Sequence, residues 1–203
     1  MRYHPSIIVG ITGGIACGKT ETGHVFIEEG FAVLDTDLLA HEVMKAGTST
    51  FEQVVKQFGK TILTVAGEID RKKLGNLVFD DPAARETLNG LVHPAVIEAA
   101  EQWKMEQQQD AVILVPLLFE AGWTQGWDAI VCVSADENVV FQRLEKRELS
   151  AEEAQKRIAA QMPLAEKEEK SDFVIRNNET LDALREETVK VVERIRSRGK
   201  THE

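Results

Sequence analysis

One segment restricts the folds open to this chain more than any other: Gly13-Gly14-Ile15-Ala16-Cys17-Gly18-Lys19-Thr20. It fits the pattern G-x-x-x-x-G-K-[ST], a loop that works between a strand and a helix. The flanks offer both. Ile7, Ile8, Val9 and Ile11 read as a short buried strand, and Glu21 to Glu29, with Val25, Phe26 and Ile27, reads as a helix. Glycines let the backbone curl until successive N–H groups converge on one anion. The following helix adds the positive end of its dipole. Lys19 supplies a mobile point charge for outer phosphates, and Thr20 a hydroxyl for magnesium. The segment is therefore expected to bind the phosphates of a nucleotide.

The rest of the chain falls into an α/β order. Phe31-Ala32-Val33-Leu34 reads as a second strand after a helix stop at Gly30, and it leads into Asp35-Thr36-Asp37. Ligands of open α/β sheets sit at the carboxyl ends of the strands, so topology puts Asp35 and Asp37 near the phosphates. Residues 40–108 read as helices without a convincing strand. Phe51, Val54, Val55 and Phe58 share one helical face, with Ser49 or Thr50 as cap and Gly59 as stop. Asp70 caps a helix carrying Leu74, Leu77, Val78 and Phe79, and Asp81-Pro82 opens another, which His93-Pro94 is expected to break. Pro94 then opens a further helix toward Gln108.

Ala111 to Val115 and Asp128 to Val133 are continuous apolar runs suited to central parallel strands. Glu137 to Glu148 reads as a charged helix, and Ser150 with Glu153 makes a capping box for the next, which runs to Pro163. Asp172 to Ile175 is the last strand. Thr180 to Ser197 is an amphipathic helix turning Leu181, Leu184, Val189, Val192 and Ile195 inward, and Arg194 to Lys200 reads as a frayed, solvated end. The sum is a doubly wound five-stranded parallel sheet. Its core takes residues 1–39, 101–134 and 171–203. A helical insertion spans 40–100 and a helical lid 135–170.

Bulk properties narrow the partners. A chain of 203 residues with net charge 24 − 34 = −10 is a poor candidate for a broad nucleic-acid surface. No apolar run is long enough to span a membrane, and Met1 to Ser6 does not read as a signal peptide, so the expected location is cytoplasmic. The acidic balance makes clustered arginines informative. Arg143 and Arg147 stand four apart on one expected helical face, and Arg157 and Gln161 follow one turn apart on the next helix. Between strands four and five, such a pair of helices reads either as a solvated face or as a lid that folds cations over a triphosphate.

The guanine-reading N-K-x-D and the D-x-x-G switch are both absent, which excludes a regulatory GTPase. Proline follows the long apolar strand where a motor or transporter ATPase normally carries Asp. A carboxylate on the strand straight after the loop, Asp35, is more typical of small-molecule kinases. One further inference concerns Cys17: beside inward N–H groups and Lys19, its thiol is expected to ionise readily and to be alkylated unless ATP covers it.

The motifs together resemble the dephospho-coenzyme A kinase family. The resemblance is carried by Gly10 to Ile15, Asp35-Thr36-Asp37, Gly67 to Arg71, Val78-Phe79, His93-Pro94, Val115 to Glu120, Arg143 with Arg147, Arg157 with Gln161, and Asp172 to Asn177. It implies ATP-dependent phosphorylation of the ribose 3′-hydroxyl of dephospho-CoA with Mg²⁺, by a monomer or weak homo-oligomer. It implies nucleotide contacts at Gly13, Gly14, Ile15, Ala16, Cys17, Gly18, Lys19, Thr20, Glu21, Arg143, Arg147 and Asn177. It implies substrate contacts at Asp35, Asp37, Arg71, His93, Leu117, Glu120, Arg157 and Gln161, with insertion 40–100 binding the CoA moiety. Lys19, Asp35, Arg143 and Arg147 would be catalytic and Thr20 the metal ligand. Asp35 is then either the base toward the 3′-hydroxyl or a magnesium ligand through water. His93 either meets substrate or makes a structural hydrogen bond, and Glu120 either orders its turn or approaches the substrate. The family usually has Ser at position 17 and a hydroxyl at position 21. Glu21 is therefore expected to turn away from the phosphates.

Overall fold

The structure is a computed structural model and describes residues 7–79 and 81–199. Met1 to Ser6 and Lys200, on which two of the expectations above rest, lie outside these residues. In chain order the elements are β1 (Ile8–Gly13), α1 (Lys19–Glu28), β2 (Ala32–Asp35), α2 (Thr36–Val43), α3 (Ser49–Phe58), α4 (Arg71–Phe79), α5 (Pro82–Glu106) and β3 (Ala111–Leu114). They continue as β4 (Ala129–Ser134), α6 (Glu137–Glu145), α7 (Ala151–Ala159), α8 (Leu164–Glu169), β5 (Phe173–Arg176) and α9 (Leu181–Gly199).

The five strands form one parallel sheet in the order β2-β3-β1-β4-β5. The doubly wound arrangement expected from the strand pattern is present. Alternate residues Val9, Ile11, Val112, Leu114, Val131, Val133, Phe173 and Ile175 meet Phe26 of α1 and Leu184, Val191, Val192 and Ile195 of α9 in one core. Three aspartates just ahead of strands fix the register. Asp110 accepts from the Ile7 amide at 3.0 Å, Asp128 from Ile8 at 2.7 Å and Asp172 from Ile130 at 2.8 Å. Each carboxylate thus serves an amide at or near the start of the neighbouring strand in the sheet.

The chain divides into two compact units: the described residues of Met1–Asp35 with Glu106–Glu203, and Thr36–Met105. The sequence-based insertion 40–100 lies inside the second. That helical unit packs its own core from Val54, Ile62, Leu74, Val92 and Val96, with Leu39, Phe58, Val78 and Leu88 around it. A single antiparallel bridge joins Leu63 and Ile69.

Local signals placed most caps. Asp70 accepts from the Lys72 and Lys73 amides, Asp81 from Ala83 and Ala84, and Ser150 with Glu153 forms both halves of its capping box. Six expectations need correction. The cap of α3 is Thr48, whose hydroxyl accepts from the Phe51 amide at 3.1 Å, instead of Ser49 or Thr50. Helix α5 runs unbroken through His93-Pro94. Pro94 forfeits one hydrogen bond, but the carbonyl it leaves belongs to exposed Gly90, and buried Val92 and Val96 on either side reward continuity.

Arg143 and Arg147 do not share a helical face, because α6 ends at Glu145. Glu148 adopts φ 62°, its N–H donates to the Glu145 carbonyl, and the Leu149 N–H donates to Leu144, which closes the helix without a glycine. A separate short helix, α8, follows Pro163 where only a lid connection was expected. Finally, Leu181 is exposed at the start of α9, and the basic end is docked instead of frayed. Arg194 and Arg198 lie 4.9 and 4.4 Å from the centre of the Phe173 ring, and Arg196 donates to the Glu29 carbonyl at 2.6 Å.

Candidate active site

The loop between β1 and α1 takes its shape from two glycines that no other residue can replace. Gly13 has φ 141°, and a Cβ there would lie 2.0 Å from the Val133 carbonyl oxygen. Gly18 has φ 107°, and its Cβ would lie 2.3 Å from Asn177 Nδ2. Lys19 folds back across the loop and donates from Nζ to the carbonyls of Gly13 at 3.1 Å and Gly14 at 2.7 Å. The first amides of α1, from Lys19 to Glu21, have no intrahelical carbonyl to serve. Thr20 is exposed at this helix end.

Distant side chains hold the loop from behind. Asn177, 4% exposed, donates from Nδ2 to the Cys17 carbonyl at 2.8 Å. Arg143 donates from Nη1 to the Ala16 carbonyl at 3.2 Å, and from Nη2 to the Asn177 carbonyl and Oδ1 at 3.0 and 3.1 Å. Ala16 is thereby kept in the left-handed region at φ 57°. Helix α7 stops at Ala159 and does not run to Pro163, so Gln161 does not share a helix with Arg157 as expected; it lies on the connection to α8 and accepts from the Ile15 amide at 3.0 Å. Asn177, just after β5, and two residues of the region 135–170 thus converge on Ile15, Ala16 and Cys17.

The other expected residues of the sheet unit lie as follows. Asp35 closes β2 at the carboxyl edge, paired in register with Leu114, and is half-buried. Arg147 and Arg157 are exposed. Glu21 is solvated and faces His24, with 3.4 Å between Oε2 and Nδ1, so it does turn outward. Leu117 is half-buried, and its carbonyl accepts from the Ala121 amide in the turn after β3. Glu120 accepts from the Met162 amide at 2.9 Å and pairs with Lys167 at 2.8 Å.

Three expected residues belong to the helical unit. Asp37 is exposed in the first turn of α2. Arg71, exposed at the start of α4, donates from Nη1 to His41 Nδ1 at 2.9 Å. That bond requires the neutral imidazole with its proton on Nε2. His93 is half-buried in the middle of α5.

Cys17 corrects the expectation of a reactive thiol. Its side chain is 1% exposed and belongs to the core, so burial pushes its pKa up despite Lys19, the Ala135 and Gly14 amides and Arg143. Burial likewise pushes Cys132 up to about 12, with Glu168 adding to the effect. Lys167 went unseen in the sequence. It stands in the run Glu166-Lys167-Glu168-Glu169-Lys170, which reads as a solvated face, yet it has no exposed surface. Nothing local marks it, because its partners Pro116 and Glu120 lie far back in the chain.

Among the described residues, no three His, Cys, Asp or Glu side chains could together hold a metal ion, and no helix is long and apolar enough to cross a membrane. The family model of dephospho-CoA kinase matches residues 7–183. A dephospho-CoA kinase of Symbiobacterium thermophilum is 42% identical over 88% of this chain and 77% of its own length. One from Geobacillus kaustophilus is 39% identical over 92% of this chain and 96% of its own. The structure of dephospho-CoA kinase from Campylobacter jejuni superposes with a TM-score of 0.66 at 28% identity, covering 93% of this chain and 96% of that one. With the family model matching residues 7–183 and relatives about 40% identical over most of their length, the chain belongs to the dephospho-CoA kinase family.

Proposed function

We propose that this protein transfers the γ-phosphoryl group of ATP to the ribose 3′-hydroxyl of dephospho-CoA, giving coenzyme A. The observation that carries the reading is a braced phosphate loop in the same compact unit as a carboxylate closing the second strand, in a chain of this family. The loop amides and the start of α1 receive the phosphates. Lys19, released from the Gly13 and Gly14 carbonyls, follows the outer phosphates and balances charge on the moving group. Asp35 accepts or orients the proton of the attacking hydroxyl. Arg147 and Arg157, both exposed, close over the triphosphate and exclude water. Arg143 works differently in this reading, since its guanidinium is already committed to the Ala16 carbonyl of the loop and to Asn177. The helical unit takes the CoA moiety, with Asp37, Arg71 and His93 as its polar contacts.

The available donors fit Mg²⁺, which favours oxygen ligands and keeps much of its water. Thr20 and, through water, Asp35 would hold it beside the phosphates. When bound, the ion neutralises phosphate charge. The expected setting is the cytoplasm, with the chain acting as a monomer or weak homo-oligomer.

The test is ADP release with ATP and Mg²⁺ against dephospho-CoA, AMP, CMP and shikimate in parallel. Turnover on dephospho-CoA at least a hundredfold above the others is the expected outcome, a margin of ~2.7 kcal/mol. Preference for a mononucleotide or for shikimate would replace the substrate assignment, and ATP binding without turnover on any acceptor would sink the kinase reading.

A further inference from the structure

Lys167 has no exposed surface, although it sits on a six-residue helix among solvated charges. Its Nζ donates to the Pro116 carbonyl at 2.8 Å and meets Glu120 Oε1 at 2.8 Å. Both acceptors are shared. The Pro116 carbonyl also accepts from Thr12 Oγ1 at 3.3 Å, and Glu120 Oε1 from the Met162 amide at 2.9 Å. Thr12 is buried and immediately precedes Gly13; Met162 immediately follows Gln161, which holds the Ile15 amide. One ammonium therefore ties the strand entering the phosphate loop to the connection that grips that loop from the other side.

Stability alone is a poor reason for such an arrangement. Taking the Lys167 ammonium out of water costs several kcal/mol, only partly offset by Glu120, which keeps a fifth of its side chain exposed, and an apolar side chain of similar volume is often as stable. What a hydrophobic contact cannot supply is direction. The lysine and its two shared acceptors fix where residues 160–163 sit, to within hydrogen-bond tolerance.

We propose that Lys167 is a positioning residue for phosphoryl transfer. It seats the α7–α8 connection so that Gln161 holds the Ile15 amide, and it acts on the nucleotide only through that loop. The inference rests on the kinase reading for turnover but not for nucleotide binding, so the two can fail separately.

The test uses the full chain with four changes: Lys167→Met, the charge-balanced Lys167→Met/Glu120→Gln, Gln161→Ala, and Lys167→Met/Gln161→Ala. Circular dichroism sets a temperature at which each is folded. ATP affinity is then read by calorimetry without acceptor, and kcat and both KM values with dephospho-CoA. The charge-balanced variant and Gln161→Ala should each weaken ATP binding about tenfold, as loss of one well-placed hydrogen bond does. Lys167→Met/Gln161→Ala should be no worse than the weaker of its two single changes, because both act on one contact. Unaltered ATP affinity in the folded charge-balanced variant would overturn the proposal, as would losses at positions 161 and 167 that multiply independently. Absence of turnover by the unaltered chain would instead refute the kinase reading, and the ATP arm would still decide the role of Lys167.

Discussion

The sheet unit and the helical unit use their polar side chains in opposite ways. Around the phosphate loop, Arg143, Gln161, Asn177, Glu120 and Lys167 are already bound to backbone atoms of other elements. In the helical unit, Asp37 and Arg71 stand exposed at helix starts, and Arg71 leans on a neighbouring histidine. The contrast has a physical meaning. A triphosphate presents a fixed set of oxygens, so a loop braced in advance spends little on ordering when it binds. A flexible acceptor is better met by side chains that can still adjust. If the loop binds nucleotide and the helical unit binds the acceptor, as proposed, the nucleotide side is braced by long-range bonds while Asp37 and Arg71 present exposed side chains.

Four changes test that contrast. The largest effect is expected for Asp35→Asn, which should lower kcat by about 10²–10⁴ while ATP affinity holds, as for loss of a general base. If calorimetry instead showed ATP binding falling in step with turnover, Asp35 would belong to the nucleotide side. Next comes Asn177→Ala. It strips partners from the Cys17 carbonyl and from Arg143, and should cost about 1–3 kcal/mol of stability. Urea titration checks that figure, and ATP affinity should fall with it; wild-type affinity would show that the brace is not what prepares the loop. Arg71→Ala should raise the acceptor KM about tenfold with ATP KM unchanged, the signature of uniform binding lost on one side. A matching rise in the ATP KM would break the division.

The smallest effect is set by pH. Both cysteines lie in the sheet unit, and burial raises both thiols, Cys132 to about 12. A raised folded value means that this stability is fully present below the ordinary thiol value and is lost as pH climbs toward the folded one. Unfolding free energy should therefore decline above about pH 9 by at most ~1.4 kcal/mol per thiol per pH unit, and less steeply in Cys132→Ala. Iodoacetamide should leave both thiols unmodified at pH 8 until urea unfolds the chain. Rapid native alkylation at Cys17 would restore the reactive thiol that the loop sequence suggests.

Reading residue types alone went wrong where a long-range contact outbid a local one. Cys17 looks activated because Lys19 is two residues away, but burial against the core opposes that pull and exceeds it. Pro94 looks like a break, yet Val92 and Val96 keep the helix intact across it. Glu148 carries no glycine signal, so the end of α6 and the separation of Arg143 from Arg147 were not visible. The capping box at Ser150 and Glu153 was visible because both partners lie within one turn.

Chemistry confined to a few neighbouring residues was therefore enough to read the phosphate loop, the buried parallel strands and most helix starts, and the order of such motifs from Gly10 to Asn177 carried the resemblance to the family. The brace behind the loop came with the fold. Arg143 meets Ala16 across 127 residues, Gln161 meets Ile15 across 146 and Asn177 meets Cys17 across 160. No local pattern encodes such pairs. Sheet order and helix packing bring them together, and burial makes each unmet hydrogen bond costly enough to hold them there.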